Sequence, residues 1–322
     1  MLKEVALETW GSFHSNNRKP HDFDSFWLKG KEEVEALGLD YRLVEHELYS
    51  TVAEAFDLYF IGVNNACVHA QIVRPKNITK KMPVLFQFHG YHTNAGDWGD
   101  KIANAAEGIL TVALNVRGQG GPSQDTTVTK GGTLKGHIIR GVEDGPEQLL
   151  FRQAYLDIYQ LTRIVTNMDQ IDLNNMYAYG ASQGGALALI CGHFEPRIKK
   201  IFTLYPFLSI FREAYRLDVE NSAYEELAYW FRFRDPQHKN EQKFFETLDY
   251  IDIQYFVPSI KSDVIWGIGL EDRICHPKLQ MGVYNAIKSP KEMLFYPEYE
   301  HEYIPEFSDI MRKQMFLDLN TK

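Results

Sequence analysis

Apolar and polar positions change rhythm along this chain. Over residues 23–38, Phe23, Phe26, Trp27, Val34 and Leu37 recur at near-helical spacing. That spacing predicts a helix after a polar lead-in at residues 17–21. From residue 41 to 74 the pattern alternates. Phe56-Asp57-Leu58-Tyr59-Phe60 and Val68-His69-Ala70-Gln71-Ile72-Val73 read as antiparallel strands joined by a turn at Val63-Asn64-Asn65-Ala66. Beyond residue 80, short continuous apolar runs take over, at Met82–Phe88, 110–116, 176–179, 200–204, 264–267 and 293–296. Continuous runs suit strands buried on both faces of a parallel sheet. The stretches 145–167, Gln183–Phe194 and 304–319 are long enough to hold helices between or after them. This alternation predicts an α/β protein with a doubly wound, mostly parallel sheet and an N-terminal antiparallel extension. Residues 209–252 fit no strand–helix unit. They are rich in Tyr, Phe, Trp and charge, and are read as a helical insertion over the C-terminal edge of the sheet. No Pro/Gly/Ser linker divides the chain, so residues 1–322 are read as one domain, with its N-terminal extension over about residues 1–40.

Composition narrows the function classes. Lys plus Arg number 34 against 43 Asp plus Glu, for a net charge of −9. An acidic chain lacks the basic footprint that a phosphate backbone or an anionic lipid surface requires, so no nucleic acid and no membrane is expected as a partner. No apolar run reaches the roughly 18 residues that span a bilayer, and the first residues hold no apolar signal-peptide core. Cys67, Cys191 and Cys275 are far apart and odd in number, which makes neither a disulfide framework nor a paired zinc knuckle. A reducing, cytoplasmic location is the expectation.

In open α/β sheets, ligands bind beyond the carboxyl ends of the strands. The run at 176–179 is followed there by Gly180-Ala181-Ser182-Gln183-Gly184-Gly185 and then an apolar helix. This is Gly-x-Ser-x-Gly between strand and helix. A serine on so sharp a turn has neighbours pressed against the strand and the helix, and only small side chains fit there. Its hydroxyl is pushed out at a helix N-terminus, where free N–H groups favour developing negative charge. The competing reading is a Gly-rich turn with Ser182 as a helix N-cap.

A serine nucleophile needs a base held by an acid, in the order Ser, Asp, His. Asp272 and His301 each lie just past the carboxyl end of one of the last two apolar runs, and complete that order. His193 sits near the far end of the nucleophile's helix, and His276 has no acid following it. Other motifs fail. His301-Glu302 cannot open a zinc-protease helix, because position 305 is proline. The spacing from Gly131 to Gly136 mimics a phosphate loop, but His137 stands where lysine is required. Gly118-Gln119-Gly120 begins a dinucleotide fingerprint, but Ser123 occupies the third glycine position.

Acyl transfer needs two donors aimed at the tetrahedral oxygen. The backbone N–H of Gln183 is one. The N–H of Tyr91 is the other, in the loop Phe88-His89-Gly90-Tyr91-His92, where Gly90 is read as making the sharp turn. In the same loop Trp98 is read as a packing residue. Arg117, at a strand end near the core, needs a partner if buried, and Glu302 is the expected one. Tyr91, Pro206, Phe207, Ile274 and Cys275 are expected to line a short acyl pocket with little room beyond a methyl group. In the insertion, Tyr224, Tyr229, Trp230, Phe231 and Phe233 cannot all turn inward from one helix, which points to a partner surface.

Arg117-Gly118-Gln119, Gly180-Ala181-Ser182-Gln183-Gly184 and His301-Glu302 together resemble the signature motifs of carbohydrate esterase family 7, the acetyl xylan esterases and cephalosporin C deacetylases. Phe88-His89-Gly90-Tyr91 and Gly96-Asp97-Trp98 also resemble the family's pattern, and the resemblance runs over nearly the whole chain. It implies an α/β-hydrolase fold, Ser182, Asp272 and His301 as triad, and Tyr91 and Gln183 as oxyanion donors. Arg117, Gln119 and Glu302 are implied as structural support. It further implies a cytoplasmic homo-hexamer that removes acetyl groups from small acetylated substrates, with no cofactor and no metal. Other readings on the same fold are a peptidase or a general short-chain carboxylesterase; outside it stands a non-catalytic scaffold. One departure is local. Cys275-His276-Pro277 stands where the family usually has Cys-Pro-Pro, which implies a difference at the pocket.

Overall fold

The computed structural model describes residues 2–130, 136–217 and 223–320. The strands are β1 (Tyr41–His46), β2 (Ala53–Gly62), β3 (Ala66–Pro75), β4 (Met82–Phe88), β5 (Leu110–Asn115), β6 (Ile171–Ala181), β7 (Ile198–Leu204), β8 (Asp263–Gly269) and β9 (Lys291–Tyr296). The helices are α1 (Leu2–Trp10), α2 (Phe23–Glu35), α3 (Ile102–Ala106), α4 (Leu150–Thr166), α5 (Gln183–Phe194), α6 (Phe211–Arg216), α7 (Glu225–Arg234), α8 (Glu241–Leu248), α9 (Pro277–Ala286) and α10 (Phe307–Asn320).

The strands form one nine-stranded sheet in the order β1-β2-β3-β5-β4-β6-β7-β8-β9. Alternating residues make β1, β2 and β3 an antiparallel meander, with Tyr41 opposite Phe60 and Phe60 opposite Val68. The turn between β2 and β3 falls at Val63–Asn65, where Asn64 and Asn65 take φ 56°. Asparagine tolerates that left-handed region better than most residues. From β5 to β9 the pairs are parallel, and the continuous apolar runs are buried as their pattern predicts. All six positions of β5 are buried. This is the α/β-hydrolase arrangement.

The connections set the site. From β4 the chain passes through α3 to β5 on one side, then returns through α4 across β4 to β6. The strand order reverses at β4, so a crevice opens beyond the carboxyl ends of β4 and β6. Helix α5, apolar on every side, is buried behind it.

Some expected boundaries shift. Helix α1 and helix α9 carry weak periodicity and were not anticipated. Helix α1 docks where Trp10 meets His276, their rings 5.2 Å apart. Helix α2 packs through Trp27, whose indole stacks on Tyr155 at 5.9 Å and donates to the Tyr250 carbonyl at 3.0 Å. The insertion contains α6, α7 and α8, and short turns carry it on to Val257–Ser259, beyond the expected residue 252. Residues 218–222 of it, and Gly131 of the rejected phosphate loop, lie outside the described residues. Phe207, Trp230 and Phe244 join the same apolar core as Phe86, Leu187 and Trp266. Among the described residues, no helix is long and apolar enough to cross a membrane.

Candidate active site

Ser182 stands between β6 and α5 with φ 57° and ψ −120°, and its side chain makes no capping hydrogen bond. A serine in that conformation is strained, and the strain persists only because its surroundings over-determine it. The surroundings are visible. A Cβ at Gly180 would run into the Gly184 backbone, and a Cβ at Gly184 into the Phe88 carbonyl. The Ser182 N–H donates to the Leu204 carbonyl at 2.9 Å, and its carbonyl accepts from Phe207 N–H at 3.1 Å. The backbone geometry thus answers the N-cap reading: Ser182 occupies that position but does not use its hydroxyl to cap.

Beyond β8 and β9, Asp272 Oδ2 and His301 Nδ1 are 2.8 Å apart. Asp272 is 1% exposed. Its Oδ1 accepts two backbone donors, from Ile274 and Cys275, each at 2.8 Å. With a carboxylate on Nδ1, that nitrogen carries the proton and Nε2 is left as the acceptor. The His301 ring rests on Tyr205, centroids 4.4 Å apart. Among the described residues no hydrogen bond joins Ser182 Oγ to His301 Nε2. Such contacts are often long before substrate arrives. His193 is elsewhere, with Nδ1 2.5 Å from Ser259 Oγ.

In the loop after β4 the chain turns at Gly90. Gly90 is not in the left-handed region; His92 is, at φ 62°. Thr93 N–H closes the turn onto the Gly90 carbonyl at 3.3 Å. The left-handed position is the third residue of the turn, and His92 holds it. Trp98 packs as expected, its indole stacked on His46 at 3.9 Å.

Polar side chains lock this loop. Gln119 Nε2 donates to Gln183 Oε1 at 2.7 Å, and Gln119 Oε1 accepts from His92 N–H at 2.9 Å. Tyr91 Oη donates to Glu226 Oε1 at 2.5 Å and accepts from His137 N–H at 2.6 Å. Burial first, and then the Glu226 charge, hold the Tyr91 phenol far above its usual range. Burial pushes Glu226 up to about 7 against its hydrogen bonds from Tyr91 and the Ile139 N–H. Burial drives His137 down to about 4, so its imidazole is neutral at pH 7; its Nε2 donates to the Gly118 carbonyl at 3.0 Å.

Arg117 is buried, as its position suggested, but its partner is not Glu302. Its guanidinium grips Asp157 of α4 through Nε to Oδ2 at 2.6 Å and Nη2 to Oδ1 at 2.5 Å. Helix α4 runs beneath the strand ends and presents a carboxylate there, whereas Glu302 lies on an exposed loop. Burial raises the Asp157 carboxyl, and the Arg117 guanidinium opposes it. Glu302 enters the site through its main chain instead, accepting from Tyr205 Oη at 2.7 Å.

Of the expected pocket residues, Phe207 is fully buried, with its ring 5.2 Å from Tyr91 and 4.6 Å from Tyr224. Pro206 is buried beside it, and Ile274 is half-buried. Burial raises the Cys275 thiol well above its usual range, and its contact with the Ser182 hydroxyl opposes this. His276 is turned to other work. Its Nδ1 caps α9 by accepting from Lys278 N–H at 3.1 Å, while its ring meets Trp10.

Sequence reasoning missed Glu226 and Asp157. Both have a signal after the fact. Glu226 shares an inward helical face with Leu227 and Trp230, and Asp157 sits amid the buried residues of α4. An acid on an apolar stripe needs a buried partner.

Residues 1–318 match the family described as acetyl xylan esterase (AXE1). The chain is similar to the acetyl esterase Axe7A of Xylanibacter ruminicola, 24% identical over 291 residues. That match covers 88% of this chain, and the chain spans 64% of that curated relative's length. It is similar in structure to acetyl xylan esterase 1 from Thermoanaerobacterium sp. JW/SL YS485, with a TM-score of 0.94, 41% identity, and 98% and 99% of the two chains covered. It is also similar to an acetyl xylan esterase from Paenibacillus sp. R4, with a TM-score of 0.92, 29% identity, and 96% and 98% covered. With this elbow, this Asp–His pair and a match over nearly its full length, the chain belongs to the acetyl xylan esterase (AXE1) family.

Proposed function

We propose that this chain is a serine esterase that removes acetyl groups from short acetylated xylo-oligosaccharides and related small esters such as cephalosporin C. The observation that carries the reading is Ser182 held at φ 57° while Asp272 and His301 stand 2.8 Å apart at the neighbouring strand ends. Ser182 Oγ attacks the acetyl carbonyl as His301 Nε2 takes its proton, and Asp272 stabilises the imidazolium that forms. The N–H groups of Gln183 and Tyr91 receive the developing oxyanion. The imidazolium then protonates the departing sugar oxygen, leaving an acetyl-enzyme. Water, deprotonated by His301, attacks that ester; the tetrahedral species collapses to acetate as Ser182 regains its proton. These groups suffice without cofactor or metal.

The acetyl methyl is read as lying against Tyr91, Pro206, Phe207, Ile274 and Cys275. The rigid packing of Phe207 between Tyr91 and Tyr224 supports a short pocket. Beside the Tyr91 loop, an open groove of about 730 Å³ bordered by His92, Gln119, His137 and Arg140 supports a loosely held alcohol. The test is acetate release from acetylated xylo-oligosaccharides and cephalosporin C, set beside arylamine release from an aminoacyl anilide. Release from the first two alone is expected. Turnover of the anilide alone would turn the reading to a peptidase.

The further expectation is a homo-hexamer of single-domain chains acting in the cytoplasm. Its support is the outer face of α7, where Tyr229 and Phe233 stack at 5.9 Å and Phe233 is 59% exposed. Light scattering that reports a 37.3 kDa particle at micromolar concentration would overturn it.

A further inference from the structure

His301 lies on an irregular loop after β9, and its neighbours Glu300, Glu302 and Tyr303 are exposed. A base on such a loop does not stay in register by itself. Among the described residues, the side-chain hydrogen bonds that reach residues 298–303 from outside the loop are two: Asp272 to the His301 ring, and Tyr205 Oη to the Glu302 carbonyl at 2.7 Å. Tyr205 makes a second contact, with its ring 4.4 Å from the His301 imidazole and tilted by 50°.

The backbone that delivers Tyr205 is itself unusual. Tyr205 has φ 34°, Leu208 φ 64° and Ile210 φ 49°, left-handed values that bulky L-residues avoid. The segment is clamped on both sides. Tyr205 N–H donates to the Gly267 carbonyl at 2.9 Å, one residue after Leu204 accepts from Ser182 N–H. Phe207 N–H returns to the Ser182 carbonyl. The same short segment therefore grips the nucleophile's main chain and holds the base's loop. Strain of this kind clusters where the rest of the fold over-determines a functional geometry.

We propose that Tyr205 is a positioning residue for the base: it fixes the His301 loop against the Ser182 elbow, with its hydroxyl setting the position of the loop and its ring the orientation of the imidazole. This rests on the reading of Ser182, Asp272 and His301 given above. Tyr205 acts on the base, through the ring of His301 and the loop that carries it. Its effect runs through the distance and angle between Oγ and Nε2, where a misplacement of about 1 Å costs on the order of a hundredfold in rate. The contribution belongs to kcat, because substrate binding makes no use of the bond to Glu302.

The test is a series on the full chain: wild type, Tyr205→Phe and Tyr205→Leu. Each is measured for kcat and KM with 4-nitrophenyl acetate, for rate and site of labelling by a fluorophosphonate, and for melting temperature. Tyr205→Phe keeps the ring and loses only the hydroxyl. It is expected to lose roughly tenfold in kcat and in labelling rate, with KM within about twofold and melting barely changed. Tyr205→Leu loses ring and hydroxyl and is expected to fall by about a hundredfold. If Tyr205→Leu fails to fold, Tyr205→Phe decides alone. A Tyr205→Phe enzyme with wild-type kcat and labelling, or with kcat lost only in proportion to a fallen melting temperature, overturns the proposal. Wild-type label at a residue other than Ser182 instead overturns the reading beneath it.

Discussion

Gln119 and Gln183 face each other through their side-chain amides, Nε2 of the first donating to Oε1 of the second at 2.7 Å. Gln119 also takes the His92 N–H on its own Oε1. One residue on the loop after β5 thus joins both segments that carry the proposed oxyanion donors. Gln119→Ala removes that tie without opening the core, since Gln119 is only half-buried. Expected is a fall in kcat on aryl acetates of the order of tenfold, below the full ~100–1000-fold cost of deleting an oxyanion donor. Steady-state kinetics check this; an unchanged kcat would show that the amide pair positions nothing.

Ser182→Ala should abolish turnover and leave the melting temperature nearly unchanged. Alanine fits the crowded elbow, and the Ser182 side chain caps no helix. Differential scanning calorimetry and acetate release measured side by side check both halves.

The buried Arg117–Asp157 pair predicts an asymmetry. Arg117→Ala strands a carboxylate that is 1% exposed, and is expected to cost about 3–5 kcal/mol. Glu302→Ala, which removes an exposed side chain, should change stability by less than about 0.5 kcal/mol. Urea unfolding of the two variants separates them.

Three carboxyls of the insertion give a pH signature. Burial pushes Glu226 and Asp249 up to about 7 and Asp252 to about 8, the last helped by Asp249. Unfolded carboxyls ionise near pH 4. Between that value and the folded ones, the native state binds more protons than the unfolded chain, so stability falls as pH rises, by about 1.4 kcal/mol per pH unit for each proton fully held. Melting temperature should therefore drop from pH 5 to pH 8.5. Asp252→Asn, a permanently neutral mimic, should show a shallower drop over the same window. A parallel pair of curves would exclude Asp252 as a source.

Acyl length is a further check. With Phe207 wedged between Tyr91 and Tyr224, each methylene beyond the pocket forces strain of about 1–3 kcal/mol. At about 1.4 kcal/mol per tenfold, kcat/KM should fall by roughly tenfold or more per step past propionyl. Preference for 4-nitrophenyl octanoate over acetate would sink the short pocket.

The sequence by itself determined the sheet and the elbow. Met82–Phe88 and Gln183–Phe194 have the bounds read from their patterns, because burial on both faces and sharp steric demand leave marks within a few residues. The places of Ser182, Asp272 and His301 in the fold were legible for the same reason: each follows a strand end, and strand ends announce themselves. What only the tertiary structure decided are the partnerships across the chain. Arg117 pairs with Asp157, 40 residues away, rather than with Glu302, and Tyr91 is held by Glu226, 135 residues away. His92 takes the left-handed position in the turn after β4, which no local pattern marked. A buried charge must be paired, and the sequence shows that need. Which carboxylate answers it depends on which helix crosses beneath which strand end, a choice made by packing the whole core and written in no local period.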